Sequence, residues 1–321
     1  MKAVVCEQYG EPEILKLKEV AKPTPKEDEV LVRIHAASVN FSDGAFIRGK
    51  PYLGRIWAGL LKPKNPIYGS DIAGEIVAVG KNIKQFQIGD EVIGDLGGKK
   101  GGFAEYVSTT ENALVPKPTN LSFEEAAAVP QASFVALQGL RDHGRIQSGQ
   151  KVLINGASGC LGTFAVQLAK YFEAEVTGVC STKNIDLVKS LGADHVIDYT
   201  QEDFTKSGKS YDLIFDIAVS HSISDYKRAL KPRGTYIAGG FNPTSLFFGS
   251  LISMFGSKKI ASYMGKSSVE DMIFIKKLIE EGKVVPIISK RFPLTEVAKA
   301  IRYYEEGAYG KVVITVVKNT E

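Results

Sequence analysis

The stretch of this 321-residue chain best suited to chemistry runs Val152-Leu153-Ile154-Asn155-Gly156-Ala157-Ser158-Gly159-Cys160-Leu161-Gly162. A continuous apolar run leads into a glycine-rich turn, and the turn leads into a helical pattern with apolar residues at Leu161, Phe164, Ala165 and Leu168. Strand, tight turn and helix in that order form the context of the dinucleotide fingerprint Gly-x-Gly-x-x-Gly. Ala157 stands at its first position, Gly159 at the second and Gly162 at the third. Gly159 is expected to let the backbone approach a pyrophosphate, and Gly162 to let the helix pack closely on the strand. The N–H groups and positive end of the helix then hold the phosphates, which makes Gly156, Ala157, Ser158, Gly159, Cys160, Leu161 and Gly162 the candidate cofactor-binding turn. A bare strand-to-helix turn that merely needs glycine is the plainer alternative.

The choice of nucleotide falls at the end of the next strand. A site for NAD places Asp or Glu there, about 20 residues on, to accept from the ribose 2′-hydroxyl. This chain has Val179-Cys180-Ser181-Thr182-Lys183-Asn184, without a carboxylate. The hydroxyls of Ser181 and Thr182 and the cation of Lys183 suit a 2′-phosphate, so the expected cofactor is NADPH. The alternative leaves Lys183 as a solvated residue of the next helix's first turn.

The elements around these residues change character along the chain. Up to about residue 123 short strands alternate with turns, as at Val30–His35, Ala73–Gly80, Glu91–Gly94 and Ala104–Val107. Ser122-Phe123-Glu124-Glu125 reads as a capping box opening a helix. Then apolar strands alternate with helices: Val152–Ile154, Gly159–Tyr171, Val176–Val179, Asn184–Leu191, His195–Ile197, Leu213–Asp216, Ser224–Leu230 and Thr235–Ala238. Such alternation implies an α/β fold with a doubly wound parallel sheet. A helix at Val269–Glu281 and a strand at Lys311–Val316 close the chain.

Composition narrows the class. With 44% hydrophobic and 24% charged residues the chain can bury a core, which excludes disorder and coiled coil. A formal charge of +4 is too small an excess to argue for nucleic acid. Cys6, Cys160 and Cys180 are odd in number and scattered, giving neither a disulfide framework nor zinc spacing. No signal peptide is visible, and the longest apolar stretch, Leu246–Phe255, is broken by Gly249, Ser250 and Ser253, short of a membrane span. A cytoplasmic protein is expected.

With these residues in view, the chain resembles the medium-chain dehydrogenase/reductase superfamily. It is most similar to the zinc-free quinone oxidoreductase branch, which includes the chloroplast-envelope quinone oxidoreductase homologues. The resemblance rests on Ala37–Asp43, Gly69–Gly80, Gly89–Val92, Gly102–Val107, the glycine turn and Leu191–Tyr199. It implies a β-rich GroES-like catalytic domain at residues 1–123 and 266–321 and a Rossmann-type dinucleotide domain at 124–265. It also implies a homodimer pairing through the edges of the nucleotide-binding sheets. By motif position Ser181, Lys183 and Tyr199 are carried over to the 2′-phosphate end of the cofactor. Tyr199 is alternatively a strand-end aromatic packing on the sheet. In Gly310-Lys311-Val312-Val313, Lys311 either reaches the cofactor or is a solvated lysine.

The departures from the zinc alcohol dehydrogenases carry as much weight. Asn40 stands where those enzymes have Cys, and Ser70-Asp71 where they have His-Glu. No cysteine lies between Cys6 and Cys160, so the structural zinc lobe has no counterpart. An amide and a hydroxyl do not replace thiolate and imidazole, and no metal is expected. Hydride transfer from NADPH then needs an acceptor that is already electrophilic, a quinone or an α,β-unsaturated carbonyl. Asn40 is the candidate catalytic donor to the acceptor oxygen, with a turn-capping role as the alternative. Asp43 is read as ordering the loop, and no residue is required as general acid. Apolar residues after these motifs, Tyr52, Trp57 and Phe241 among them, are candidates for a lipophilic substrate pocket. The same segments could serve core packing, dimer contact, or a peripheral membrane contact with Arg55, Lys62 and Lys64 as basic partners. A zinc-independent alcohol or aldehyde dehydrogenase, or a membrane-associated interaction protein retaining a nucleotide pocket, are the rival functions.

Overall fold

The computed structural model describes residues 1–239 and 257–317, apart from the side chains of Leu53 and Trp57. The chain divides into two units, Met1–Gln131 with Ser267–Glu280 and Pro286–Glu321, and Ala132–Lys266 with Glu281–Val285. The first unit opens with strands β1 (Lys2–Val5), β2 (Lys16–Glu19), β3 (Glu29–Val39), β4 (Asp71–Val79), β5 (Glu91–Asp95), β6 (Tyr106–Thr110) and β7 (Leu114–Pro116). The second holds β8 (Lys151–Asn155), β9 (Glu175–Cys180), β10 (His195–Asp198), β11 (Tyr211–Asp216), β12 (Leu230–Ala238) and β13 (Lys259–Ser262). The chain then returns to the first unit for β14 (Ile288–Pro293) and β15 (Lys311–Thr315).

In the first unit β3 is the hub. It pairs with β4, β6 and β15, all antiparallel, and the sheet runs β14-β15-β3-β4-β5-β7. Val30, Val32, Ile34, Ile72, Ile76, Val92 and Leu114 form one core, while Val39, Ile47, Tyr68, Phe103, Ile301, Val312 and Ile314 form another. Such buried β-branched residues suit a pleated surface packed on both faces. Two registers matter for the site: Val39 lies opposite Val312, and Ser38 opposite Asp71. They bring the end of β3 and the starts of β4 and β15 to one place.

The expected capping box is present at the helix Phe123–Ala127, where Ser122 Oγ accepts from Glu125 N at 3.3 Å and Glu125 Oε2 accepts from Ser122 N at 2.9 Å. This helix belongs to the first unit, whereas the sequence reading begins the nucleotide domain at 124. Glu124 accepts hydrogen bonds from Arg291 and from Thr315 of β15, which ties the helix to that sheet. Residues 281–285 join the second unit instead, through Gln167, which donates to Val285 O at 3.0 Å and accepts from Val285 N at 2.8 Å.

The second unit is a six-stranded parallel sheet in the order β10-β9-β8-β11-β12-β13. Val152, Leu153 and Ile154 of β8 are wholly buried, as a strand covered on both faces requires. The order reverses between β8 and β11, the switch point at which doubly wound sheets bind ligands beyond the strands' carboxyl ends. Local departures from the sequence reading are small. The helix expected from Asn184 starts at Ile185 after a 3-10 turn, Thr182–Asn184, and β12 begins at Leu230 rather than Thr235. Among the described residues no helix is long and apolar enough to cross a membrane.

Candidate active site

The glycine turn lies at the carboxyl end of β8, at the switch point. Gly156 has a φ of +88° and the helix Cys160–Tyr171 follows, with Gly159 as an N-cap that offers no side chain. A Cβ on Gly162 would lie 2.1 Å from Gly156 O and 2.7 Å from Ala157 C, so glycine is demanded there by the packing of helix on turn. At Gly159 the nearest atom to an added Cβ is Gly156 O at 3.4 Å, an ordinary contact. Among the described residues, then, no neighbour requires glycine at 159. The twelve-residue helix begins directly after this glycine with no side chain capping it, an arrangement whose first N–H groups suit a pyrophosphate. Ala157 is fully buried and packs toward Gly178 of β9, so at its position the side chain supports the turn rather than lining it.

At the end of β9, Ser158 Oγ and Ser181 Oγ both accept from Asn184 Nδ2, at 3.0 and 3.3 Å. The buried Asn184 thus clamps the glycine turn to the residues expected at the 2′-phosphate. Lys183 is exposed, and Tyr199 is 63% exposed rather than packed on the sheet. Thr182 has partners at the end of the next strand. Its hydroxyl donates to Asp198 at the end of β10 and lies 3.1 Å from Thr200 Oγ1. The Thr182 bond holds the Asp198 carboxyl below its ordinary range. The sequence reading, which looked for a carboxylate only at the end of β9, missed this one; parallel pairing sets Asp198 opposite Cys180.

The first unit gathers a second cluster where β3, β4 and β15 converge. Asn40 follows β3 and is 3% exposed; Asp71 opens β4 and Lys311 opens β15, and both are fully buried. Lys311 Nζ donates to Asn40 Oδ1 at 2.7 Å and to Asp71 Oδ2 at 3.0 Å. Asn40 Nδ2 donates to Ser70 Oγ at 3.1 Å. Asp71 also accepts from Ser38 Oγ at 3.1 Å and from Gln131 N at 3.1 Å. A buried ion pair is tolerable only when the remaining lone pairs find partners, and here they do. The expectation of a solvated Lys311 is corrected: its ammonium is buried and turned to Asn40 and Asp71. Ser38 and Gln131 had no signal in the local motif, because strand register brings Ser38 to Asp71 and the turn into the next helix brings Gln131.

Further acids surround this group. Asn40 stands at the N-cap of the helix Phe41–Ile47, as its turn-capping alternative expects, and Asp43 at N3 orders the loop by accepting from Asn40 N at 2.9 Å and from Gly69 N at 3.2 Å. Burial pushes its carboxyl up to about 6. Asp95, opposite Asp71 across β4 and β5, is pushed well above the carboxylate range by burial first and then by the Asp71 and Asp43 charges. Lys100 stands 3.5 Å from the Phe46 ring centroid and 4.3 Å from that of Tyr68, and burial lowers its ammonium to about 8. Burial likewise raises the Cys6 thiol to about 11.

Tyr52 is 67% exposed on the turn Tyr52–Gly54, and Trp57 falls on the short helix Arg55–Ala58. Phe241 lies outside the described residues. Ile56, Leu60 and Leu61 are exposed as well, whereas Arg55 is engaged, donating to Gly49 O and Arg48 O at 3.0 Å each and facing the Tyr9 ring at 4.3 Å.

Among the described residues no group of three His, Cys, Asp or Glu side chains could hold a metal ion. At the Asn40, Ser70 and Asp71 positions the donor chemistry is also unfavourable to a divalent cation. The amide oxygen and one carboxylate oxygen already face the Lys311 ammonium, which would repel it.

Residues 26–119 match the alcohol dehydrogenase GroES-like domain, and residues 191–314 match the family described as zinc-binding dehydrogenase. The chain is 35% identical to the chloroplast envelope quinone oxidoreductase homolog of Arabidopsis thaliana, over 92% of each. It is 33% identical to the NADPH-dependent alkenal/one oxidoreductase, chloroplastic, of the same plant, over 98% of this chain and 79% of the relative. The quinone oxidoreductase of Coxiella burnetii superposes with a TM-score of 0.90 at 29% identity, covering 99% of both chains. The chain belongs to the medium-chain dehydrogenase/reductase superfamily, in its quinone oxidoreductase branch.

Proposed function

We propose that the chain is an NADPH-dependent reductase of quinones and α,β-unsaturated carbonyls that works without zinc. The observation that carries this reading is the Asn40 amide, whose oxygen faces an ammonium and whose nitrogen has a second N–H without a partner among the described residues. The relatives named as a quinone oxidoreductase and an alkenal/one oxidoreductase support the same acceptor classes.

Bound NADPH supplies the hydride. The chain's residues bind and orient: the bare backbone at Gly159 and the helix N-terminus take the pyrophosphate, and Ser181, Lys183 and Tyr199 take the 2′-phosphate end. Asn40 Nδ2 donates to the oxygen on which charge develops as a quinone or enone is reduced, and solvent protonates the enolate carbon. An acceptor activated by its own conjugation needs no Lewis acid. Tyr52, exposed on its turn, is read as facing its apolar side.

The chain is further read as a homodimer that pairs through its nucleotide-binding sheet, supported by β13, which closes one edge of the described sheet. A cytoplasmic setting is supported by Cys6, Cys160 and Cys180 forming no disulfide. Replacing Asn40 by Ala tests the central assignment: turnover with phenanthrenequinone or a short-chain enone falls by about 10²-fold while NADPH still binds. Unchanged turnover removes Asn40 from the reaction.

A further inference from the structure

We infer that Lys311 is a positioning residue for the reduction, acting by fixing which way the Asn40 amide faces. The inference rests on the reading of Asn40 as donor to the acceptor oxygen. A lysine ammonium has three donors and no acceptor, so the atom 2.7 Å from Lys311 Nζ is the amide oxygen. The amide nitrogen is thereby turned to the other side, where one N–H goes to Ser70 Oγ at 3.1 Å. An amide nitrogen carries two N–H groups, and the second has no partner among the described residues. With the opposite flip the oxygen would face Ser70 and the nitrogen would meet an ammonium, donor against donor. The cation therefore excludes that orientation, and a hydroxyl or amide in its place would not, since either can accept as well as donate.

Lys311 is itself held. Its charge is balanced by Asp71, which Ser38 and Gln131 fix in turn, and no part of the Lys311 side chain reaches solvent. Lys311 thus donates both to Asp71 and to Asn40, each of the three starting or following a strand of one sheet. Aiming a donor before the reaction is what makes it effective, because no reorganisation is then needed as charge develops.

The test combines Lys311→Met with Asn40→Ala and reads kcat and NADPH affinity for each single variant and for the pair, with phenanthrenequinone as acceptor. Lys311→Met is expected to lower kcat by at least about tenfold and leave the NADPH dissociation constant within about twofold. In the Asn40→Ala background it is expected to lower kcat no further, since the group it orients is gone. Loss of NADPH affinity in Lys311→Met, or additive losses of kcat in the pair, would overturn the inference in favour of direct cofactor contact. If Asn40→Ala alone leaves kcat unchanged, the donor reading fails first, and the inference fails with it in a distinguishable way. Removing the ammonium leaves the Asp71 carboxylate buried without its counter-ion, so Lys311→Met is also made with Asp71→Asn. If the folded neutral pair turns over at the wild-type rate, Lys311 does not position Asn40; a depressed kcat that Asn40→Ala does not deepen supports it.

Discussion

Lys311 and Asn40 are 271 residues apart in the chain and 2.7 Å apart in the fold. Pairing of β15 with β3 brings them together, with Val312 opposite Val39, and pairing of β3 with β4 adds Asp71 opposite Ser38. The contact joins the two ends of the first unit, which the second interrupts in sequence, so an amide placed early in the chain depends on a cation supplied near its end.

The two fingerprint glycines serve different ends and should fail differently. Gly159→Val is expected to weaken NADPH binding by at least about tenfold and to shift the melting temperature little, since among the described residues a Cβ there meets only ordinary contact. Gly162→Ala drives a methyl into the backbone of the turn, and is expected to destabilise the chain by about 1–3 kcal/mol. Thermal melts beside fluorescence titrations separate the two; similar melting losses for both variants would show that Gly159 is also a packing residue.

Cofactor choice should respond to charge at the end of β9. Lys183→Glu places a carboxylate where the 2′-phosphate is expected and should weaken NADPH by roughly tenfold more than NADH. Asp198→Asn removes the acid beside Thr182 and should move the ratio the other way. Competitive titration with both nucleotides reads the ratio directly, and equal losses for both would put the specificity site elsewhere.

Asp43 and Asp95 set a pH dependence whose sign follows from burial. Both carboxyls are raised above the ordinary 3.8, Asp43 to about 6. Between those values the folded chain holds protons that the unfolded chain has released, so their contribution to stability falls as pH rises through that window. Glu29 and Asp203, lowered to about 2 by their partners, act in the opposite sense, and their stabilisation is lost only as pH falls below the ordinary carboxylate value. Asp95→Asn removes one raised acid, and is expected to gain about 1–3 kcal/mol over wild type near pH 8 and little near pH 4. Denaturant melts at the two pH values check it; an equal effect at both would mean that Asp95 is ionised throughout.

The three thiols should differ in reactivity. Burial raises Cys6 and Cys180 to about 11, whereas Cys160 opens the helix at the glycine turn and is partly exposed. Alkylation by iodoacetamide in the folded protein should mark Cys160 alone, and saturating NADPH should protect it. Peptide mass spectrometry reads both outcomes, and labelling of Cys160 that NADPH does not slow would place the nucleotide away from this turn.

Local physics made much of the fold legible. The capping box at Ser122 and Glu125, the continuous apolar strand at Val152–Ile154 and the packing need at Gly162 are each dictated within a few residues. What stayed hidden depends on register between distant strands. Nothing near Gly310-Lys311 announces that its cation will be buried against Asp71, and a lysine beside a glycine reads equally as solvated. Nor does Ser181-Thr182-Lys183 announce the Asp198 carboxylate, which arrives only when β10 pairs parallel to β9. The motif singles out Asn40 as a candidate, but not the side to which its amide turns, because the Lys311 ammonium that accepts nothing lies next to it only in the fold.

The central claim is tested most directly by following NADPH oxidation with phenanthrenequinone and a short-chain enone, using protein dialysed against a strong chelator, for wild type and Asn40→Ala. The dialysed wild type is expected to turn over at a rate that added zinc does not raise, with the variant slower by about 10²-fold at similar NADPH affinity. Turnover that appears only when zinc is restored, or an Asn40→Ala enzyme as fast as wild type, would contradict it.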